Sequence, residues 1–99
     1  MGKMSIIESD LTRCIICGAS PVQLHHTHGG INRQLSDEYG LIVPLCMEHH
    51  TGNHGAHNSR ALDIYLKRLG QKAFEELYGH AEYMARFGKN YLNEEEQTP

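Results

Sequence analysis

The stretch from Cys14 to His57 constrains this chain more than any other. It holds all three cysteines (Cys14, Cys17, Cys46) and seven of the eight histidines, namely His25, His26, His28, His49, His50, His54 and His57. Cys14-x2-Cys17 and Cys46-x2-His49 offer soft-to-borderline donors in two pairs of equal spacing, a pattern that suits tetrahedral zinc. Four protein ligands leave no coordination position open, so the expected site is structural. The bland alternative is a redox or merely buried cysteine pair. A redox Cys-x-x-Cys sits in a strand–helix–strand context, and no such pattern surrounds Cys14. An odd number of cysteines also cannot close entirely into bridges within one chain.

Composition explains why such a staple matters. Ninety-nine residues with five Tyr, two Phe and no Trp make one small domain with a thin apolar core, and a metal cross-link then helps decide whether the chain folds. The single domain, 1–99, divides into an N-terminal segment (1–12), a zinc-stabilised core (13–60), a helical part (61–92) and an acidic tail (93–99) expected to be disordered. The sequence has no apolar run for a membrane span and no export leader, so the expected location is the cytoplasm, where thiols stay reduced. The net charge of −3 and pI near 6.2 argue against a high-affinity DNA-binding module. Any DNA contact is expected to be weak or structure-selective, helped by the local positive charge of bound metal ions.

The local signals give an outline of the fold. Gly18 supplies the positive φ that a cysteine knuckle needs. Val22 to His26 alternates as a short strand, which Gly29-Gly30 ends. Residues 31–40 read as a polar connection with one helical turn capped at Ser36. Leu41 to Leu45 is a second strand with Pro44 at an edge or end position, so the two strands form an antiparallel hairpin. A short helix starts at Cys46, and Gly52 and Gly55 leave 51–57 as a loop. From Asn58 or Ser59 an amphipathic helix buries Leu62, Tyr65, Leu66, Leu69, Ala73, Phe74 and Leu77. Gly70 is a candidate break, at roughly 1 kcal/mol relative to Ala. Gly79 ends this helix, and a last one over 80–87 stops at Gly88.

The surplus histidines suggest a second site. His25 and His26 are neighbours, and neighbours in a regular strand face opposite ways. Both can serve one site only if the strand ends or bulges there, which Gly29-Gly30 permits. One could bind metal while the other acts as a general base near neutral pH. His50 follows the zinc ligand His49, so the knuckle fixes its direction. His54 shares a face with His50 only if helix persists through Gly52, and His57 sits at the start of the long helix. The alternative is a histidine-rich, solvated loop. Two or three imidazoles without a carboxylate favour manganese, nickel or zinc over magnesium.

The order Cys-x2-Cys, strand ending His-His, strand ending Pro-Leu-Cys-x2-His-His, then helix resembles the HNH endonucleases of the ββα-metal fold, especially small phage and prophage members. The likeness covers residues 13–60 and, more weakly, Ala61 to Leu92. It implies an α+β fold, a zinc-stapled ββα-metal unit with C-terminal helices, that hydrolyses DNA phosphodiester bonds in the bacterial host cytosol. It further implies His25 and His50 as ligands of a catalytic divalent metal (Mn2+, Ni2+, Zn2+ or Mg2+), His26 as general base, and His57 as a further ligand or phosphate contact. The middle Asn of the family motif is missing, its place falling at Gly40 or Leu41. Asn32 and Asn53 are candidate substitutes, His54 is an additional candidate ligand, and Arg33 and Arg60 are candidate phosphate contacts. Lys67 and Arg68 are further candidate phosphate contacts, but the favoured reading of both is a solvated charge. The missing Asn keeps open a catalytically inactive zinc module that docks DNA or a protein in phage replication or packaging. Double-strand cleavage would call for a homodimer or another partner.

Overall fold

The computed structural model describes residues 4–92; the acidic tail expected over 93–99 lies outside them. In chain order the elements are β1 (Gln23–His26), a 3-10 turn (Gly30–Asn32), α1 (Arg33–Tyr39), β2 (Ile42–Leu45), α2 (Met47–His50), α3 (Arg60–Tyr78) and α4 (His80–Phe87). The fold is therefore small and mixed, with helices around one two-stranded sheet. β1 and β2 pair antiparallel, with His25 opposite Val43 and His26 opposite Ile42. The cysteine knuckle is tied to this hairpin by Ile15 N–H, which donates to the Pro44 carbonyl at 2.9 Å. Leu41, Ile42, Val43 and Leu45 are all essentially inaccessible. That explains why this run lacks polar alternation: both of its faces are covered. Among the described residues no helix is long and apolar enough to cross a membrane.

The core has two parts that meet along the Leu41–Leu45 run. Cys14, Val43, Leu45, Cys46, Ala56 and Leu66 pack beneath the cysteine knuckle. Leu41, Phe74, Tyr83 and Phe87 form a largely aromatic second part between α3 and α4. Ile7 packs against both parts, and Ile6 joins the second, so the N-terminal segment is used as packing.

Ser36 is not a cap. Helix α1 runs from Arg33 to Tyr39 and buries Ser36 in its interior. The Ser36 hydroxyl donates to the His28 carbonyl at 2.7 Å and accepts from His28 N–H at 3.2 Å. The hairpin pairing ends with Thr27 N–H donating to the Leu41 carbonyl at 2.9 Å, and beyond it the buried Ser36 hydroxyl satisfies both backbone groups of His28. This tertiary demand outweighs the local preference of serine for a helix start.

Gly70 does not break α3. The helix passes so close to the turn after β1 that a Cβ at position 70 would lie 2.8 Å from Thr27 Oγ1 and 3.2 Å from His28 Cε1. The glycine allows this approach, and the approach turns the helix. Leu66, Gly70, Gln71 and Phe74 face inward, whereas Tyr65 and Leu77 are 50% and 60% exposed. Ser59 caps α3 as expected, its side chain accepting from Leu62 N–H at 3.2 Å.

Beyond Gly88 the chain folds back on α3. Buried Gln71 donates to Asn90 Oδ1 at 2.8 Å and to Glu75 Oε2 at 2.7 Å, and accepts from Tyr91 N–H at 2.8 Å. Arg68 donates to the Tyr91 carbonyl at 3.1 Å, so Arg68 is not the solvated charge that its sequence position suggests.

Candidate metal centres

The first centre is assembled from two tight turns. Gly18, at φ 79°, closes the knuckle by donating to the Cys14 carbonyl at 2.8 Å, which puts Cys14 and Cys17 on one side. Cys46 begins α2, and one helical turn carries His49 back beside it, with His49 N–H bonded to the Cys46 carbonyl at 3.1 Å. Donor atoms of all four residues lie within 4.8 Å of one another. Cys17 Sγ is 3.7 Å from Cys46 Sγ, and His49 Nδ1 is 3.3 Å from Cys46 Sγ and 3.8 Å from Cys14 Sγ. Two sulfurs bound tetrahedrally to one zinc stand about 3.8 Å apart, so the spacing fits. Burial pushes the Cys14 thiol up, but backbone N–H groups of Cys46, Cys17 and Ile16 outweigh it and bring the group down to about 6. These groups favour the Cys14 thiolate, the form that binds metal. This Cys3His set could hold an ion such as zinc.

The second centre lies on the other side of α2. His25 on β1, His50 at the end of α2 and His57 in the following loop form a second cluster with mutually close nitrogens. The Nε2 atoms of His50 and His57 are 3.1 Å apart, close to the roughly 3.3 Å expected for two nitrogens on one tetrahedral cation. Gln23 Oε1 lies 2.6 Å from His50 Nδ1. A carboxamide oxygen only accepts, so Nδ1 carries the proton and Nε2 keeps its lone pair for the cluster. His25 is buried, and its Nε2 has no hydrogen-bond partner. Orphaned buried polar atoms are rare and call for an explanation; a cation held by three imidazoles supplies one. Burial first, then the neighbouring His50 and His57, hold His25 down to about 4. Burial and His57 also lower His50. Both shifts favour the neutral ring, which keeps one nitrogen lone pair for a metal.

His26 ends β1 and lines the same cavity as His25, with a volume of about 660 Å3. Its Nε2 is 3.2 Å from Asp37 Oδ1 on α1. Of the two candidate replacements for the missing Asn, Asn32 lines the cavity with Arg33, whereas Asn53 is exposed in the 51–57 loop. Neither has a hydrogen bond to His26 in the structure; the partner found is Asp37. His54 is exposed and outside both clusters, and Arg60, at the exposed start of α3, does not line the cavity. Lys67 does line it, and its Nζ is paired with Asp63 Oδ2 at 2.5 Å, so it too is no simple solvated charge.

Sequence reasoning missed Asp37 and Gln23, and it favoured a solvated charge over a site role for Lys67. Each reaches its histidine or cavity across an inter-element contact, and no local spacing signals it. His28 belongs to neither metal cluster. It is buried, with Nε2 2.8 Å from the Tyr83 hydroxyl and Nδ1 2.8 Å from Thr27 Oγ1, and it ties the sheet to α4. Comparison with protein-family models, curated proteins and solved structures finds no match.

Proposed function

We propose that the chain is a metal-dependent endonuclease of the HNH type, built on a ββα-metal unit and hydrolysing DNA phosphodiester bonds. One observation carries the reading: three convergent imidazoles, one with an orphaned nitrogen, share a cavity with a fourth imidazole that is paired to a carboxylate. His25, His50 and His57 would hold a divalent cation, which when bound polarises the phosphate and stabilises the departing oxygen. His26 acts as the general base. Asp37 accepts from its Nε2–H, which leaves the Nδ1 lone pair to take a proton from water. Asp37 thereby does the orienting that the missing Asn would do. Arg33, on the cavity wall, meets the negative charge of the phosphodiester. The Cys3His centre, through His49, fixes the helix that aims His50.

Nicking of supercoiled plasmid, with added Mn2+ or Mg2+, tests the reading. His26→Ala, matched to wild type in zinc content and melting, should lose roughly 10²–10⁴-fold in rate. Absence of nicking by wild type with any of Mn2+, Mg2+, Ni2+ or Zn2+ would overturn it. The net charge of −3 then favours the second reading, an inactive module that uses zinc to shape a docking surface. That module would bind one metal per chain and tolerate changes at His25, His26 and His50.

A further inference from the structure

The segment after α4 is held against α3 by a set of side-chain hydrogen bonds. Gln71 has no exposed surface, and a buried carboxamide is costly unless every polar atom finds a partner. Its oxygen is spent on Tyr91 N–H and its nitrogen on Asn90 and Glu75, while Arg68 holds the Tyr91 carbonyl. Two side chains of α3 thus fix the backbone on either side of one tyrosine. The Tyr91 ring lies in the wall of the cavity that contains the imidazole cluster. It meets the buried His28 ring edge-on, with centroids 5.7 Å apart. Two ammonium groups rest near its face, Lys67 Nζ at 5.8 Å and Lys89 Nζ at 5.2 Å from the ring centre. A rigidly placed aromatic ring flanked by two cations, Lys89 exposed and Lys67 paired with Asp63, has the two elements of a single-strand subsite, a stacking platform and phosphate-neutralising charge.

We infer that Tyr91, with Lys67 and Lys89, forms a subsite for one unpaired nucleotide of the DNA strand next to the scissile phosphate. The base stacks on the Tyr91 ring. The Lys89 ammonium turns to a flanking phosphate, and Lys67 does so on leaving Asp63. A base paired within a regular duplex presents no free face to the ring, so the preferred substrate carries an unpaired nucleotide at the cleavage point, as in a single strand, flap or gap. This inference rests on the nuclease reading and gives it a substrate class. It also accounts for a modest charge: stacking supplies affinity that a basic surface would otherwise have to provide.

The test is fluorescence anisotropy with labelled oligothymidylate and with a blunt duplex of equal length, without added divalent metal, for wild type, Tyr91→Phe, Tyr91→Ala and Lys89→Gln. Base–aromatic stacking of about 1–3 kcal/mol predicts that Tyr91→Ala loses roughly 5- to 150-fold in single-strand affinity. Tyr91→Phe should stay within about twofold, and duplex binding should be unchanged by either. Exposed Lys89 is replaceable without risk to the fold, and Lys89→Gln should flatten the slope of log K against log salt by about 0.7. Tyr91→Ala binding the oligonucleotide as tightly as wild type, or Lys89→Gln with an unchanged slope, overturns the subsite. If wild type nicks plasmid while either of those results is found, only the subsite fails. If wild type neither nicks nor binds either DNA, the nuclease reading fails with it.

Discussion

His49 and His50 are consecutive residues of α2, yet they serve two centres with opposite designs. The centre containing His49 has three cysteines and one histidine, lies over the apolar core, and leaves a tetrahedral ion no free position. The centre containing His50 has three histidines, lines a cavity of about 660 Å3, and leaves a tetrahedral ion room for water or a phosphate oxygen. A closed set suits structure and an open set suits chemistry. Sharing one short helix couples them. The four-residue α2 is too short to hold its shape alone, so a metal in the closed centre would make the open one rigid.

The largest expected effect is therefore at the closed centre. Binding of structural zinc is worth an apparent ~10–16 kcal/mol in small zinc folds, as much as the whole stability of an ordinary domain. Cys14→Ser should abolish cooperative thermal unfolding and the bound zinc together, followed by circular dichroism and metal analysis. A Cys14→Ser protein that melts like wild type would break the division of labour between the centres.

At the open centre the outcome should be the reverse. His50→Ala should keep one zinc per chain and a melting temperature close to wild type. It should lose manganese binding at the second site, with nicking reduced roughly 10²–10³-fold, the effect of several kcal/mol of charge stabilisation. Loss of the fold in this variant would show that the open centre is structural too.

Much of this contrast is legible in the sequence because it is local. The Cys3His quartet follows from two equal spacings, the hairpin from two short apolar runs around Gly29-Gly30, and α3 from Ser59 and its apolar periodicity. What escapes is set by contact between elements. Ser36 looks like a cap until the unpaired backbone of His28 is placed beside it. Gly70 looks like a break until α3 is laid on Thr27. Asp37 is eleven residues from His26 and on a different element, so no spacing rule joins them. Tyr91 carries no signal of its own in the sequence, and its place on the cavity wall shows only once buried Gln71 is seen to hold its backbone.

The contrast extends to two buried imidazoles that burial holds down to about 4, His25 and His28. His28 is bonded at both ring nitrogens, while His25 has its orphaned Nε2. For a histidine whose folded pKa is depressed below its unfolded value near 6.5, the unfolded state binds more protons between pH 6.5 and 4. Stability is thus present above pH 6.5 and lost as pH falls toward 4. The loss from His28 is about 3 kcal/mol over that window. His28→Gln should flatten this part of the stability–pH curve, measured by urea unfolding. Metal added to the open centre should protect against the His25 contribution and leave that of His28 in place.

The smallest effect tests how finely the open centre is tuned. Gln23 touches no ion; it accepts from His50 Nδ1–H and so keeps the Nε2 lone pair turned toward His25 and His57. Gln23→Leu preserves the size of an exposed strand residue and removes only this acceptor. The ring is then free to rotate or to place its proton on the other nitrogen, and each alternative has to be reversed when metal binds. Partners of this kind are typically worth 10–100-fold in metal affinity, or about 1.4–2.7 kcal/mol. Calorimetric titration with Mn2+ should show that loss, with zinc content and melting unchanged because Gln23 lies outside the Cys3His set. An unchanged Mn2+ affinity would mean that the zinc-held helix alone orients His50, and the closed centre would then account for the whole geometry of the open one.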